Sequence, residues 1–185
     1  MNVAICRYGA GNVRSVALAF QRLGCDLVED VAGADLAVLP GVGSARTAHA
    51  GLRDSGHDDA LRARVADGRP VLGICLGLQL ALDWSEEDGG VAGLGLLPGR
   101  AVRIREGRVP RMGWSVVDPV GEAFYFAHSY ACDTPHATGW AEGVVAEARH
   151  GSFIGCQFHP EKSGAVGARY LAGVLEEVAA SLSPA

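Results

Sequence analysis

The sequence has no dense cluster of lysine and arginine, and its 185 residues carry a formal net charge of −5. A nucleic-acid-binding surface needs a basic patch that neutralises phosphates, so this composition argues against DNA or RNA as a partner. No apolar run reaches the roughly 18 residues of a membrane span, and residues 1–12 lack the basic and apolar regions of a signal peptide. We therefore expect a cytoplasmic protein that acts without nucleic acid or membrane.

Paired cysteines are also missing. The five cysteines are scattered along the chain without a C-x-x-C spacing, which argues against a secreted disulfide framework. Cys156 and His159 stand three residues apart, but a zinc centre needs about four ligands and no second close pair is visible. The sequence predicts reduced thiols and no metal site.

The composition is otherwise that of an ordinary globular protein. Hydrophobic residues make up 49% of the chain and charged residues 20%, so neither disorder nor a fibrous repeat is indicated. A chain of this length can bury a hydrophobic core without disulfide or metal. We expect a single domain over residues 1–185.

Strand-like and helix-like segments alternate in the first part of the chain, which is typical of βαβ units and of a parallel sheet covered by helices. Four strands are predicted at 2–8, 25–30, 34–40 and 69–75, with helices from about residue 12, near 44–53 and at 57–67.

From about residue 100 the pattern changes to short strands separated by turns, and the chain ends in an amphipathic helix at 165–182. The sequence therefore predicts an α/β fold with an open mixed sheet, parallel at first and antiparallel later. The later strands are predicted at RAVRI (100–104), MGWSVVD (112–118), EAFYFAHSY (122–130), TGWAEGVVAEAR (138–149) and SFIGCQFHP (152–160), with RHGS (149–152) as a hairpin turn.

One cysteine lies between two glycines in VLGICLGLQLAL, where a strand-like run becomes a helix-like run. Active sites of open α/β sheets form beyond the carboxyl ends of the strands, and Cys75 is at such an end. Gly73 and Gly77 would permit a tight strand-to-helix elbow that exposes a nucleophile, and the helix N-terminus would favour the thiolate. The alternative is a small core cysteine flanked by packing glycines.

A thiol nucleophile needs a base, and six histidines are available. Four of them, at 49, 57, 136 and 150, fall in polar segments where we expect solvated surface residues. His159 instead ends a strand-like run, and Glu161 follows two residues later. In an extended segment the two side chains point to the same side, so the carboxylate could orient the imidazole. The alternative is a core histidine with an accidental neighbour.

The glycine-rich turn LPGVGSA, at 39–45, also follows a predicted parallel strand. Its backbone N–H groups, together with that of Leu76, could stabilise a developing oxyanion. An ordinary β-to-α loop is the alternative.

The segments LPGVGS, GICLGLQLAL and GCQFHPEKSG, in this order and spacing, resemble the class I glutamine amidotransferases over essentially the whole chain. This resemblance implies a flavodoxin-like fold with helices on both faces of the sheet, and glutamine hydrolysis without a cofactor. It implies that Cys75 is the nucleophile, His159 the general acid and base, and Glu161 its orienting partner. Gly43 and Leu76 would donate the oxyanion hydrogen bonds.

The same resemblance implies a set of substrate-binding positions. Gln79 and Glu87 would hold the polar groups of glutamine, and the other positions would line the pocket. His128 would form a wall of the pocket and would not act as a base. The implied substrate-binding residues are Gly41, Gln79, Glu87, His128, Ser129 and Tyr130.

Within this family, YGAGNVRSV, VPRMGWS, FYFAHSY and EKSG resemble a branch that supplies ammonia to a separate cyclase subunit, a (β/α)₈ barrel, in histidine biosynthesis. The resemblance implies a heterodimer with an ammonia channel, whose partner-facing residues would be Asn12, Met112, Trp114 and Lys162. A core aromatic is the alternative interpretation of Trp114.

Three other functions stay open. Related enzymes of the family feed ammonia to pyridoxal phosphate, anthranilate, guanine nucleotide or carbamoyl phosphate synthesis. A non-catalytic binding subunit would keep the fold but lack a member of the triad, and none is missing. A cysteine hydrolase acting on peptides or esters would share the elbow, but would not explain Gln79, Glu87 and HPEKS together.

Overall fold

A computed structural model of the chain describes residues 1–182, so the last three residues of the expected domain lie outside the description. Among the described residues, no helix is both long and apolar enough to cross a bilayer. The α-helices over this range are α1 (Val13–Arg22), α2 (Ala45–Asp54), α3 (His57–Ala66), α4 (Leu76–Ala81) and α5 (Gly164–Leu182).

The strands of residues 1–182 are mostly short and begin with the predicted parallel set. They are β1 (Asn2–Ile5), β2 (Asp26–Val28), β3 (Leu36–Gly41), β4 (Val71–Cys75), β5 (Trp84–Ser85), β6 (Val91–Ala92), β7 (Arg100–Arg103), β8 (Arg111–Val117), β9 (Glu122–His128), β10 (Tyr130–Asp133), β11 (Ala137–Ala141), β12 (Val144–His150) and β13 (Phe153–Cys156).

Seven strands form the central sheet, in the order β11-β12-β13-β4-β3-β1-β2. The five strands from β13 to β2 are parallel to one another, whereas β12 and β11 are antiparallel additions at one side. The predicted mixed sheet is therefore confirmed. Strands β10, β7, β5 and β6 form a small second sheet, and β8 and β9 form a two-stranded hairpin.

Helices cover both faces of the central sheet. Leu72 and Ile74 of β4 belong to an apolar cluster that includes α1 and α5, while Val71 belongs to a cluster that includes α2, α3 and α4. Neighbouring residues of one strand therefore bury their side chains on opposite faces, as expected for a parallel sheet between two helical layers. The flavodoxin-like arrangement implied by the resemblance is the fold of this chain.

The strands predicted at 2–8 and 152–160 are shorter in the structure, where they are β1 and β13. Two other predicted strands each divide into two. EAFYFAHSY divides at Ser129, because β9 pairs with β8 whereas β10 pairs with β7 in the second sheet. TGWAEGVVAEAR folds back on itself as the β11–β12 hairpin. Its turn residues Glu142 and Gly143 have φ of 50° and 78°, the left-handed conformation that suits a two-residue hairpin turn. The turn predicted at RHGS is confirmed by the antiparallel pairing of β12 with β13.

Two glycines of α5 have different surroundings, although they lie on one helix. A Cβ atom on Gly167 would collide with the carbonyl oxygen of Pro160, whereas a Cβ on Gly173 would meet nothing within 4 Å. Gly167 therefore allows α5 to pack closely on the short 3-10 turn Pro160–Lys162.

We expect Gly167→Ala to lower the free energy of unfolding by about 1–3 kcal/mol, because the added methyl overpacks this contact. Gly173→Ala is the matched control and should raise the free energy of unfolding by about 0.5–1 kcal/mol, since glycine is unfavourable in an open helical position. Urea denaturation measures both changes. Equal effects of the two substitutions would contradict the packing argument.

Candidate active site

Cys75 lies at the junction of β4 and α4. It is the last residue of β4 and the N-cap of α4, and its φ of 54° is unusual for a residue with a side chain. Such a conformation costs about 1–3 kcal/mol and persists only where the surroundings enforce it. The strand-to-helix elbow predicted from VLGICLGL is therefore present in the structure.

The glycines beside Cys75 allow backbone segments to cross at short range. A Cβ on Gly77 would collide with the carbonyl oxygen of Leu39, and a Cβ on Gly73 would lie 2.8 Å from the ring of Phe153. Gly41, the last residue of β3, pairs directly with Cys75, and its Cβ would lie 2.7 Å from that of Leu76. Larger side chains at these positions would separate α4 from the sheet.

His159 and Glu161 follow β13, the strand beside β4. The imidazole Nδ1 lies 2.9 Å from Glu161 Oε1, and the two side chains are only 2% and 1% exposed. The predicted extended segment is wrong here, because Glu161 lies in the 3-10 turn Pro160–Lys162. The pair nevertheless forms, since this turn folds the carboxylate back towards the ring.

The backbone around His159 is fixed by β9. The N–H of His159 donates to the carbonyl oxygen of Tyr125 at 2.8 Å. Ser163 Oγ donates to the carbonyl oxygen of His159 at 2.7 Å and accepts from the N–H of Tyr125 at 3.0 Å. These bonds fix the backbone from which the imidazole projects.

The charge state of His159 depends on its two neighbours. Burial alone would lower its pKa, but interactions with Cys75 and Glu161 outweigh burial and raise the pKa of His159 to about 9. Nε2 of His159 is buried and has no hydrogen-bond partner among the described residues. The ring is therefore held by Nδ1, while Nε2 is free to exchange a proton with a reacting group.

A pocket of about 170 Å³ opens over Cys75. It is smaller than the roughly 300–1,000 Å³ of pockets for drug-sized ligands, so it suits a small metabolite. Gly41, His159 and Glu161 lie outside its lining, whereas the other predicted catalytic, oxyanion and substrate-binding residues all contribute to it. The lining residues are Val42, Gly43, Cys75, Leu76, Gln79, Glu87, Pro110, Ala127, His128, Ser129 and Tyr130.

The turn that carries Gly43 is attached to two acidic residues. Glu87 Oε2 accepts from the N–H of Ala45 at 2.9 Å, and burial raises the pKa of Glu87. Asp88 Oδ2 accepts from Ser44 Oγ at 2.7 Å, and this bond lowers the pKa of Asp88. Gly43 has a φ of 103°, which favours glycine. Asp88 was not predicted, because nothing in the local sequence shows that it reaches this turn.

His128 forms a wall of the pocket. Its Nδ1 donates to the carbonyl oxygen of Tyr130 at 2.8 Å. Burial, together with the nearby charges of Arg111 and His159, lowers the pKa of His128 to about 4. The ring is therefore neutral near pH 7, unlike that of His159.

Of the four residues expected to face a partner, Trp114 and Lys162 are brought together at the ring of Tyr125. Met112 and Trp114 of β8 are 65% and 57% exposed, so the interpretation of Trp114 as a core aromatic is wrong. Trp114 packs edge-on against Tyr125, and Lys162 Nζ lies 5.9 Å from the centre of the same ring. Asn12 precedes α1, which packs beside the Pro160–Lys162 turn.

One of the histidines expected at the surface is buried. His49 on α2 is only 8% exposed, and burial lowers its pKa. Its polar sequence neighbours concealed that it lies on the inner face of the helix. The rings of His136, just before β11, and His150, at the end of β12, lie close together at a tilt of 52°, with centroids 4.3 Å apart.

Comparisons with known proteins agree with this fold and site. The family model for class-I glutamine amidotransferases matches residues 12–177. A solved structure described as a glutamine amidotransferase has a TM-score of 0.79 over 96% of this chain and 98% of its own, at 22% identity, which supports the fold alone. The chain therefore belongs to the class I glutamine amidotransferases.

Two curated relatives define the branch. Imidazole glycerol phosphate synthase subunit HisH of Methanothermobacter thermautotrophicus is 39% identical over 96% of this chain and all of its own. The Arabidopsis thaliana protein named imidazole glycerol phosphate synthase hisHF, chloroplastic, is 39% identical over 89% of this chain but only 32% of its own. Within its class, the chain belongs to the HisH family of imidazole glycerol phosphate synthase subunits.

We expect Glu161→Gln to lower the pKa of His159 towards its ordinary value of 6.5, because the carboxylate stabilises the imidazolium. The raised pKa means that the folded state binds this proton more tightly than the unfolded chain does. The resulting stabilisation is complete below about pH 6.5 and is lost as the pH rises through about 9. NMR titration of the ring measures the shift.

Glu176→Gln is the matched control for this titration, since Glu176 is an exposed glutamate on α5. This substitution should leave the pKa of His159 unchanged. An unchanged titration in Glu161→Gln would show that the carboxylate does not hold the proton on the imidazole.

Proposed function

We propose that this chain hydrolyses glutamine with Cys75 as nucleophile and the His159–Glu161 pair as proton carrier. The observation that carries the proposal is the strained elbow of Cys75 beside a buried imidazole, whose Nε2 is unpartnered and whose Nδ1 is held at 2.9 Å by a carboxylate. A nucleophile, a base and an orienting group are the set that acyl transfer requires.

In this mechanism the Cys75 thiolate attacks the carboxamide carbon of glutamine, forming a carbon–sulfur bond and an oxyanion. Gly43 and Leu76 both line the pocket, and their backbone N–H groups would hold that oxyanion. Collapse breaks the carbon–nitrogen bond, and His159 gives its proton to the departing ammonia. Water, deprotonated by the same imidazole, then cleaves the thioester to glutamate and regenerates the thiol.

The remaining pocket residues would recognise the substrate. Gln79 and Glu87 would hold the polar groups of glutamine, and the segment 128–130 would line its path. Both Gln79 and Glu87 already bond to the backbone, through Tyr130 and Ala45 respectively. Their positions are thus fixed before substrate binds, which lowers the entropic cost of binding. Gly41 would act indirectly, as the closely packed neighbour of Cys75 and Leu76.

The ammonia would pass through a channel to a cyclase subunit, a (β/α)₈ barrel that makes imidazole glycerol phosphate and an aminoimidazole carboxamide ribonucleotide. The Arabidopsis relative supports a second unit, because the segment that matches this chain accounts for only 32% of its length. We assign the docking face to Asn12, Met112, Trp114 and Lys162. A cytoplasmic location agrees with the five free, buried cysteines.

Docking would also control the rate. One oxyanion donor contributes about 3 kcal/mol to catalysis, so a misaligned turn at Gly43 would leave the isolated chain nearly inactive. Glycine tolerates more backbone conformations than other residues, so Gly43 would let the turn rearrange when the partner binds.

The central test is glutamate release by the native chain and by Cys75→Ala, alone and with the barrel subunit and its ribonucleotide ligand. We expect slow release by the isolated chain, faster release with the liganded partner, and a loss of at least about 10⁴-fold in Cys75→Ala. Equal release with and without partner would contradict the docking control. Unchanged release by Cys75→Ala would reject the nucleophile.

We expect Trp114→Ala to weaken binding of the barrel subunit by about 2 kcal/mol, or roughly 30-fold in Kd, as for an interface aromatic anchor. Trp84→Ala is the control, because Trp84 is also exposed, at 40%, but lies in the second sheet. Isothermal titration calorimetry measures the Kd of each variant for the barrel subunit. If the Trp114 variant and the native chain bound the barrel subunit with similar affinity, the docking face would not include Trp114.

A further inference from the structure

Gln157 is a buried polar residue that the proposed mechanism does not use. The residue is 0% exposed and follows β13 directly in the chain, two positions before His159. Nε2 of Gln157 donates to Sγ of Cys75 at 3.7 Å, within the range of a hydrogen bond to sulfur. Oε1 of Gln157 accepts from Nε2 of Gln79 at 2.9 Å. Two buried amides thus connect the pocket lining to the sulfur.

The hydrogen bonds fix which end of each amide faces which partner. The carbonyl oxygen of Tyr130 can only accept, so Gln79 must present its Nε2 to it, at 2.8 Å. The second hydrogen of the same Nε2 then requires an acceptor, and Gln157 supplies Oε1. Nε2 of Gln157 is consequently left facing Cys75, and it can only donate.

A hydrogen-bond donor beside Sγ favours the thiolate form of Cys75. The Cys75 thiol donates to the carbonyl oxygen of Ala127 at 3.8 Å, a contact that the thiolate would lose. The negative sulfur would then face a carbonyl oxygen, which disfavours ionisation. A hydrogen bond from Gln157 opposes that effect, because bonds to the charged form stabilise it.

We propose that Gln157 stabilises the Cys75 thiolate by donating a hydrogen bond from Nε2 to Sγ, and that Gln79 holds Gln157 in the orientation that makes this possible. The proposal rests on the proposed role of Cys75 as nucleophile. Gln79 has both hydrogens of its amide in use, so only its Oε1 is available to a substrate. Gln79 therefore couples the pocket to the nucleophile.

Two substitutions separate donation from simple packing. Gln157→Glu has nearly the same size and keeps an acceptor for Gln79, but it replaces the donor to sulfur with a carboxylate oxygen. Gln157→Met removes both polar groups and leaves the Gln79 bond unmade. Gln21→Met is the control, because Gln21 is exposed on α1. Thermal melting of each variant reports whether it folds.

The measurement is the rate at which iodoacetamide alkylates Cys75 as a function of pH, followed by mass spectrometry of the peptide that contains it. The other groups that interact with Cys75 are unchanged in all variants. Burial raises the pKa of Tyr8, Cys132 and Cys156, so these groups stay neutral, and His159 is the charged neighbour.

We expect the midpoint of alkylation to rise by about one pH unit in Gln157→Met, equivalent to a tenfold loss of thiolate below the midpoint. It should rise further in Gln157→Glu, whose carboxylate repels the thiolate. Glutamine turnover should fall in the same order, and Gln21→Met should match the native chain.

If Gln157 had a purely structural role, the alkylation midpoints would follow the opposite order. Gln157→Glu keeps the bond to Gln79, so its midpoint would then be closer to that of the native chain than the midpoint of Gln157→Met. That order, or native midpoints in both variants, would overturn the proposal. Failure of the proposed function is a separate result. It would appear as native glutamine turnover that survives Cys75→Ala, whatever the alkylation midpoints are.

Discussion

The parallel pairing of β4 with β3 on one side and β13 on the other is the constraint on which the site depends. In this register Gly41 lies beside Cys75, and Cys156 lies beside Ile74, so three strands end at one edge of the sheet. Both faces of β4 are buried, and a slip of one residue would turn its side chains to the wrong face. The position of the thiol relative to the imidazole is therefore fixed by the whole sheet.

Two features at this edge, the backbone conformation of Cys75 and the buried pair of His159 and Glu161, would be unfavourable alone and are stabilised by their neighbours. The left-handed backbone of Cys75 is enforced by close packing of α4 against β3, which only glycine at 77 permits. The buried pair of His159 and Glu161 requires good hydrogen bonds to offset the loss of hydration. Rigid surroundings therefore maintain a charged, strained arrangement that a flexible loop would lose.

The sequence predicts those parts of the molecule that depend on local pattern. The βαβ alternation, the elbow at Cys75 and the closing helix α5 follow from periodicity and glycine spacing. The contacts of Asp88 with Ser44 and of Gln157 with Cys75 join residues far apart in the chain, so no local pattern contains them. A polar glutamine inside an otherwise apolar strand end was the available sign. The hairpin in 138–149 was missed because its turn, Glu142 and Gly143, lacks the Asn or Asp that commonly precedes glycine in a two-residue hairpin turn.

Tyr125 connects the exposed face of the β8–β9 hairpin to the catalytic side of the sheet. Its ring contacts Trp114 and Lys162, while its backbone bonds both His159 and Ser163. Trp114 and Tyr125 are also directly opposite each other in the β8–β9 pair, which extends over seven residues of each strand. Tyr125 thus joins Trp114 to the backbone of His159 by one ring contact and one hydrogen bond. A change in the packing around Trp114 would therefore reach the backbone of His159 through a single residue, whereas the imidazole ring itself stays held by Glu161.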